Sequence, residues 1–346
     1  MRGTLDVQGV LAGNRRAIAR ALTEVENDSQ VGREALDLLF PYSGKAHLVG
    51  VTGSPGAGKS SLVNQMTRLL RAPEEGEPKK VAIVAVDPSS PFTGGAILGD
   101  RIRMRDIVDD EGVFIRSMAS RGHLGGIART TSGLVRVLDA AGFDLILVET
   151  VGAGQSEVDI ARLAHTTIVV EAPGMGDDIQ AIKAGILEIA DILVVNKADH
   201  PLADNTMRAL KASLEFSRPD YVSTLDRFHH RELAFEPLRT NLATQTKKEV
   251  SWTPPVFKTI STDGVGIEDV VKAIHQHANF LQENGQWHLR DAARLQEELN
   301  ELLMAAFAAE WRKKVDQARI EEVLGEMLER KVSPINAAKK LLIAES

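Results

Sequence analysis

The sequence predicts an α/β fold with a mostly parallel central sheet. Seven short runs rich in Val and Ile are bounded by Gly, Pro, Asp or Asn, as expected for strands buried on both faces. Helical patterns separate most of these runs, which is the element order of a parallel sheet with crossover helices. The predicted strands are His47 to Thr52, Val81 to Asp87, Val113 to Met118, Leu145 to Thr150, Thr167 to Ala172, Ile192 to Asn196 and Val256 to Ile260.

The composition excludes several classes of function. The 346 residues include 41 Lys plus Arg and 48 Asp plus Glu, a net charge of −7, which argues against a nucleic-acid binder. No apolar run reaches the roughly 18 residues of a membrane span, and no signal peptide is indicated, so we expect a cytoplasmic protein without a membrane partner. There are no cysteines, and hence no disulfides or thiolate metal ligands.

Helical patterns flank the predicted sheet on both sides. We expect a helical extension over residues 1–42, a nucleotide-binding domain over 43–284 and a helical arm over 285–346. An apolar stripe runs from Leu299 to Trp311 in the arm. Two interpretations remain open for this stripe, which either covers the chain's own core or forms the interface of a homodimer.

A glycine-rich motif follows the first predicted strand. It matches the P-loop pattern and leads into a helical pattern at Ser61. Its glycines let backbone N–H groups point at phosphate oxygens, and the helix N-terminus adds partial positive charge. We therefore predict that Lys59 bridges the β- and γ-phosphates and that Ser60 binds Mg²⁺. The alternative is a glycine-rich turn without a ligand. The motif consists of Gly53, Ser54, Pro55, Gly56, Ala57, Gly58, Lys59 and Ser60.

A second motif indicates the base of the nucleotide. Asn196-Lys197-Ala198-Asp199 directly follows a predicted strand, as the NKxD motif of GTPases does. The Asp199 carboxylate is able to accept from N1–H and the exocyclic amine of guanine, whereas adenine offers no such pair of donors. Lys197 would cover the base with its alkyl stem, and Ser261, Thr262 and Asp263 would close over the guanine O6. The alternative is that Asp199 only caps a helix.

Acidic residues at the ends of other strands predict a metal site. Glu149 ends the strand from Leu145, and Gly152 follows three residues later, where its N–H would sense the γ-phosphate. Asp87 ends the second strand, and Asp100 lies further along. For Asp87, a turn-forming role before proline is the alternative.

Together these segments resemble the MeaB/ArgK family. That family comprises P-loop GTPases of the signal-recognition/MinD/BioD class and includes the methylmalonic aciduria type A protein. The resemblance is strong over about residues 45–275 and looser at the helical ends. The segments that carry it are 53–61, Val86 to Gly95, Leu98 to Arg101, Arg121 to Gly126, Glu149 to Glu157 and Asn196 to Asp199.

The resemblance implies a G-protein chaperone for an adenosylcobalamin-dependent acyl-CoA mutase of the methylmalonyl-CoA type. Such a protein gates cofactor loading from an adenosyltransferase and protects or reactivates the mutase, while adenosylcobalamin itself belongs to the partner. The implied ligands of Mg²⁺ are Ser60, Asp87, Asp100 and Glu149. The implied partner switch lies in residues 174–183, with Asp177, Gln180 and Lys183 as its polar contacts. A solvated amphipathic helix is the alternative for that segment.

The sequence departs from common GTPase patterns in two places. Ras-like GTPases have a water-orienting glutamine directly after the switch glycine, but Ala153 stands there. Gln155 or an acid would replace it, so we expect slow hydrolysis that a partner stimulates. The stretch 217–245 looks longer than the usual connection, and its adjacent His229 and His230 are interpreted as exposed. The predicted catalytic residues are Lys59, Asp87, Glu149, Gly152 and Gln155.

Two other functions remain as alternatives. A small-molecule kinase or an ATPase of amino-acid transport would prefer ATP, which Asp199 argues against. A GTP-dependent nickel chaperone would normally have cysteine or histidine ligands near its switches, and this chain has no cysteine.

Overall fold

Seven strands and thirteen α-helices form the part of the chain that the structure describes. The structure is a computed structural model, and it describes residues 5–88, 104–120, 126–150, 156–174, 184–216 and 251–343. The strands are β1 His47–Gly53, β2 Val81–Pro88, β3 Val113–Ser120, β4 Leu145–Thr150, β5 Thr166–Glu171, β6 Ile192–Val195 and β7 Val256–Lys258. All seven predicted strands are confirmed, with bounds that differ by at most two residues.

The strands form one sheet in the order β3-β2-β4-β1-β5-β6-β7, and every adjacent pair is parallel. The predicted α/β fold with a parallel sheet is therefore confirmed. β1 lies between β4 and β5, so the loop after β1 is flanked by the ends of two other strands. Because the carboxyl ends of parallel strands meet at one edge, the P-loop after β1 and the NKxD motif after β6 lie at the same edge as Glu149 of β4 and Glu171 of β5.

Helices connect the strands and cover the sheet. Those before and between the strands are α1 Val7–Leu11, α2 Arg15–Glu26, α3 Gln30–Leu39, α4 Lys59–Arg71, α5 Arg105–Val108, α6 Gly126–Ala140, α7 Ser156–Leu163, α8 Ala184–Ile189 and α9 Ala203–Phe216. Those after the sheet are α10 Ile267–Glu283, α11 Gln286–Lys314, α12 Gln317–Leu328 and α13 Pro334–Ile343.

Helices α1 to α3 supply one of the two main cores. Ile18 and Leu22 of α2 are buried in the same cluster as Leu134 of α6 and Ile146 of β4. Side-chain caps begin these helices, as where the Asn14 side chain accepts from the N–H groups of residues 16 and 17. A second cluster joins α4 and α10 to the sheet's other apolar side chains. The predicted helical pattern over 5–40 thus forms three helices that pack against the rest of the fold.

A buried polar cluster lies at the amino ends of β1, β5 and β6, opposite the edge where the motifs meet. We call it the basal network, and it consists of His47, His165, Thr166, Asp191, His277, Trp287, Arg290 and Asp291. Arg290 donates to both carboxylate oxygens of Asp191, at 3.0 and 3.1 Å. His165 stacks on Trp287 with ring centroids 3.9 Å apart. The network ties α10 and the start of α11 to the sheet.

Burial lowers the pKa of two histidines in the basal network. His47 and His165 are almost fully buried, and desolvation is the largest cause for both. The N–H of Leu48 donates to Nδ1 of His165, so that nitrogen acts as an acceptor, while Nε2 faces Asp291 at 2.9 Å. This arrangement fits a neutral imidazole, because a proton on Nδ1 would displace the N–H of Leu48.

The described residues fall into two compact units, 5–294 and 295–343. In the second unit, Lys340 and Glu326 form an ion pair at 2.7 Å, and the Trp311 indole donates to the carbonyl of Leu341. The predicted apolar stripe lies here on α11, where the side chain of Phe307 is exposed over 60% of its surface. Within the described residues, no helix is long and apolar enough to cross a membrane.

Candidate nucleotide-binding site

The P-loop connects β1 to α4 and has the backbone conformation that its glycines permit. Gly53, Gly56 and Gly58 have φ angles of 126°, 75° and 91°, a conformation that is strained for residues with a side chain. A Cβ on Gly53 would lie 2.0 Å from the carbonyl oxygen of Val170, so the neighbouring strand also requires glycine. Gly58 precedes α4 directly, which leaves the N-terminus of that helix open toward the loop.

Lys59 lies at the start of α4, with its ammonium group turned back into the loop. Its Nζ donates to the carbonyl oxygens of Gly53 at 2.9 Å and Ser54 at 3.0 Å. The side chain is buried, and desolvation lowers the pKa of Lys59, whereas the nearby carboxylates of Glu149, Glu171 and Glu157 act to raise it. The cation is therefore held inside the curve of the loop, where N–H groups and the helix N-terminus favour an anion.

Ser60 and Glu149 meet because β4 is the direct neighbour of β1. Val51 pairs with Glu149 in the parallel register, and the Ser60 hydroxyl donates to Oε1 of Glu149 at 2.6 Å. Both side chains are buried. A hydroxyl and a carboxylate are hard oxygen donors of the kind that Mg²⁺ prefers, so these two residues fit the predicted metal site.

Asn196 joins the P-loop to the segment after β7. Its Nδ2 donates to the carbonyl of Ala57 at 2.8 Å, and its Oδ1 accepts from the hydroxyls of Thr259 at 3.0 Å and Ser261 at 2.8 Å. The N–H of Ser261 donates to the same oxygen at 3.1 Å. Asn196 is 3% exposed. The first residue of the NKxD motif therefore holds three separate segments of the chain together.

The rest of the NKxD motif faces solvent beside the same segment. Lys197 and Asp199 are exposed, and Lys197 has a φ of 57°. The N–H of Ala198 donates to the carbonyl of Thr259, which fixes the motif next to the loop containing Thr262 and Asp263. Both of these loop residues are exposed, whereas Ser261 is buried against Asn196. The structure thus brings together the two segments predicted to bind the base.

Several predicted site residues fall outside the described part of the chain. Asp87 lies within β2, but its side chain is not described. The other predicted residues outside the described ranges are Asp100, Gly152, Gln155, Asp177, Gln180 and Lys183, as is the stretch 217–245 with His229 and His230. Their predicted roles stay predictions.

One acidic residue of the site was missed by the sequence reasoning. Glu171 ends β5, the strand next to β1 on the side opposite β4, and its Oε2 accepts from the Ser54 hydroxyl at 2.6 Å. Burial is the largest cause that raises the pKa of Glu171, and the hydrogen bond from Ser54 and the charge of Lys59 oppose it. A signal was present, since Glu171 interrupts an apolar strand end just as Glu149 does.

The chain matches the family model described as methylmalonyl Co-A mutase-associated GTPase MeaB over residues 18–316. A protein of Pyrococcus abyssi is 40% identical over 336 residues, covering 97% of this chain and 94% of that protein. The GTPase ArgK of Escherichia coli is 38% identical over 277 residues, covering 79% and 75%. Among solved structures, one described as a LAO/AO transport system kinase is 25% identical with a TM-score of 0.67, covering 97% and 94%.

Proposed function

This chain belongs to the MeaB family of GTPases, and on that premise we propose that it is a G-protein chaperone of an adenosylcobalamin-dependent acyl-CoA mutase. Its GTP-hydrolase activity and P-loop fold follow from the family. The proposed client is a mutase of the methylmalonyl-CoA type. This proposal depends on the description of the family as mutase-associated. The proposed action is to gate cofactor loading and to protect or reactivate the mutase, with an adenosyltransferase as a second partner and adenosylcobalamin bound by the partners.

The phosphates of the nucleotide are proposed to bind in the P-loop. Lys59 would exchange its two loop carbonyls for the β- and γ-phosphates, while the N–H groups of residues 56–61 surround them. The glycine conformations support this assignment, because they leave the start of α4 uncovered by a loop side chain. Gly152 is proposed to contact the γ-phosphate, and Gln155 to orient the attacking water.

The metal ion of the site is proposed to be Mg²⁺. Ser60 and Glu149 would hold it, with Asp87 and Asp100 as further predicted ligands. When bound, Mg²⁺ would neutralise phosphate charge and thereby stabilise the negative charge that develops during hydrolysis. The residues of the chain supply the geometry, since the neighbouring positions of β1 and β4 fix the hydroxyl and the carboxylate beside each other.

Guanine is proposed to bind between the NKxD motif and the loop from Ser261 to Asp263. Asp199 is exposed and accessible to a base, and Asn196 fixes both segments to the P-loop. A carboxylate in this place favours guanine because it accepts from two adjacent donors, while an adenine would leave it unpaired.

Hydrolysis is proposed to act as a switch for the partner. Loss of the γ-phosphate removes contacts near Gly152 and the metal, and the affinity for the partner changes as the switch segments relax. Asp177, Gln180 and Lys183 are the proposed partner contacts. The cytoplasmic location predicted from the sequence stays a prediction.

The helical arm is proposed to form a homodimer with a second copy of the chain. The stripe from Leu299 to Trp311 includes side chains that are 52% and 60% exposed at Leu299 and Phe307, a large apolar surface for one helix. Sedimentation velocity should show a dimer at micromolar concentration. Phe307→Asp should give a monomer, whereas Leu38→Asp, which changes an equally exposed leucine on α3, should not. A monomeric wild type would refute dimerisation.

The mutase proposal is tested by phosphate release from GTP and from ATP. The purified chain is assayed with Mg²⁺, with and without a methylmalonyl-CoA-type mutase. We expect GTP-selective turnover that is slow alone and rises with the mutase. Asp199→Asn should reduce selectivity for GTP by about 100-fold, because the amide no longer accepts from both donors of the guanine that covers it, while Asp37→Asn on the exposed face of α3 should not.

The outcomes separate the alternatives. Selective GTP hydrolysis without any response to an acyl-CoA mutase would agree with the GTPase activity but refute the mutase as the partner. ATP turnover with transfer to an acceptor would instead favour the kinase or transport function, which the description of the similar solved structure suggests for that protein.

A further inference from the structure

Several buried carboxylates lie close to the ammonium group of Lys59 in the P-loop. Glu149, Glu157 and Glu171 are all buried, and all three act on the Lys59 ammonium. Glu149 is engaged by Ser60 and belongs to the proposed metal site. Glu171 has a different position, because it comes from β5 and contacts the beginning of the loop. Its charge therefore has no part in the proposed metal site.

Glu171 fixes the first side chain of the P-loop. Its carboxylate accepts from the Ser54 hydroxyl at 2.6 Å and also from the Ser54 backbone. The carbonyl of the same Ser54 accepts from Nζ of Lys59 at 3.0 Å. One residue of the loop thus links the carboxylate to the cation. This chain of contacts places the charge of Glu171 close to the Lys59 ammonium.

We propose that Glu171 is a positioning residue that accelerates nucleotide exchange, because it holds Ser54 and places a negative charge beside the loop that binds the phosphates. The bound phosphates repel the Glu171 carboxylate, and they compete with it for the charge of Lys59. Removal of this charge therefore strengthens the binding of the phosphates. The consequence is slower release of GDP. This inference rests on the proposed binding of phosphate by Lys59.

The charge and the hydrogen bond of Glu171 are separable by substitution. Glu171→Gln keeps the size of the side chain and an oxygen that accepts from Ser54, but it removes the negative charge. Ser54→Ala removes the hydroxyl and keeps the charge. Glu188→Gln on α8 makes the same change of charge at an exposed glutamate and serves as the matched control.

The experiment is stopped-flow release of a fluorescent GDP analogue from the full chain with Mg²⁺, chased with excess GDP. We expect Glu171→Gln to slow release by about tenfold, as for removal of one like charge near a bound phosphate. Ser54→Ala should stay within about threefold of the wild type, and Glu188→Gln should equal it.

The pH dependence of the wild type is the second readout. Lys59, Glu157 and Ser54 are the groups of the described residues that act on the carboxyl of Glu171, besides its burial. Burial raises the pKa of this carboxyl. As the pH falls through that pKa, the carboxyl gains a proton and its charge is lost, so release from the wild type should become slower. The Glu171→Gln variant should lack this component.

Two results would overturn the inference. One is GDP release from Glu171→Gln that is as fast as, or faster than, release from the wild type. The other is wild-type release that does not slow on acidification. A wild-type chain that fails to bind the GDP analogue would refute the nucleotide site itself, and this outcome is distinct from normal binding with unchanged release, which refutes only the role of Glu171.

Discussion

Replacing Asn196 with alanine removes the contact between the P-loop and the base-binding segments. The side chain makes four hydrogen bonds, one to the carbonyl of Ala57 and three with the hydroxyls of Thr259 and Ser261 and the N–H of Ser261. All four lie in the buried interior, so water does not replace them freely. Each is worth about 1 kcal/mol net. We therefore expect Asn196→Ala to lower the free energy of unfolding by about 2–4 kcal/mol.

The assay is urea unfolding of the full chain, followed by circular dichroism and by binding of a fluorescent GDP analogue. Affinity for GDP should fall at least about tenfold, because the base segment is no longer fixed relative to the phosphate loop. The control is Asn205→Ala on α9, whose exposed side-chain oxygen accepts from the guanidinium of Arg208 at 2.6 Å. This change should stay within about 0.5 kcal/mol of the wild type.

A double-mutant cycle with Ser261→Ala isolates the pairwise contribution. Ser261 makes two of the four hydrogen bonds, through its N–H and its hydroxyl, and the substitution removes only the second. The coupling free energy between the two substitutions should be about 0.5–1.5 kcal/mol. If Asn196→Ala costs less than about 1 kcal/mol and leaves GDP affinity unchanged, the assigned role of this bridge is wrong.

Three further predictions concern the backbone, the basal network and pH. Gly53→Ala should abolish GDP binding and lower the free energy of unfolding by about 3 kcal/mol or more, as measured by urea unfolding. The control Gly76→Ala, also at positive φ but with open space where the added Cβ would lie, should cost only about 1–2 kcal/mol. Equal effects would contradict the role of the neighbouring strand. Arg290→Met leaves Asp191 buried without the guanidinium that it contacts and should lower the free energy of unfolding by about 3–5 kcal/mol in urea unfolding. Arg33→Met, in an exposed ion pair, should lower it by less than about 1 kcal/mol. A small loss at both sites would refute the importance of the basal network. The buried His47 and His165 have lowered pKa values, so below a pH of about 6.5 the unfolded chain binds more protons than the folded one. The free energy of unfolding should therefore fall between pH 6.5 and 5 by up to about 1.4 kcal/mol per pH unit for each histidine, less the opposing effect of the raised pKa of Glu171. A free energy from urea unfolding that does not change over this range would contradict the prediction.

The strands and the two motifs of the nucleotide site were predictable from the amino-acid sequence. Strand positions follow from local composition, since runs of Val and Ile bounded by turn residues are buried on both faces. The P-loop and the NKxD motif are contiguous, so their spacing alone identifies them. The tertiary structure then shows that the P-loop glycines have the positive φ angles that the motif requires.

The contacts between side chains far apart in the chain were not predictable in this way. Asn196 contacts a carbonyl 139 residues away, and Glu171 contacts a hydroxyl 117 residues away. The basal network likewise joins His165 to Asp291, separated by 126 residues. These contacts depend on the strand order β4-β1-β5-β6, which is not the order of the chain. Local periodicity reports whether a strand is buried but not which strand lies beside it, so the neighbours of the P-loop became visible only once the sheet was assembled.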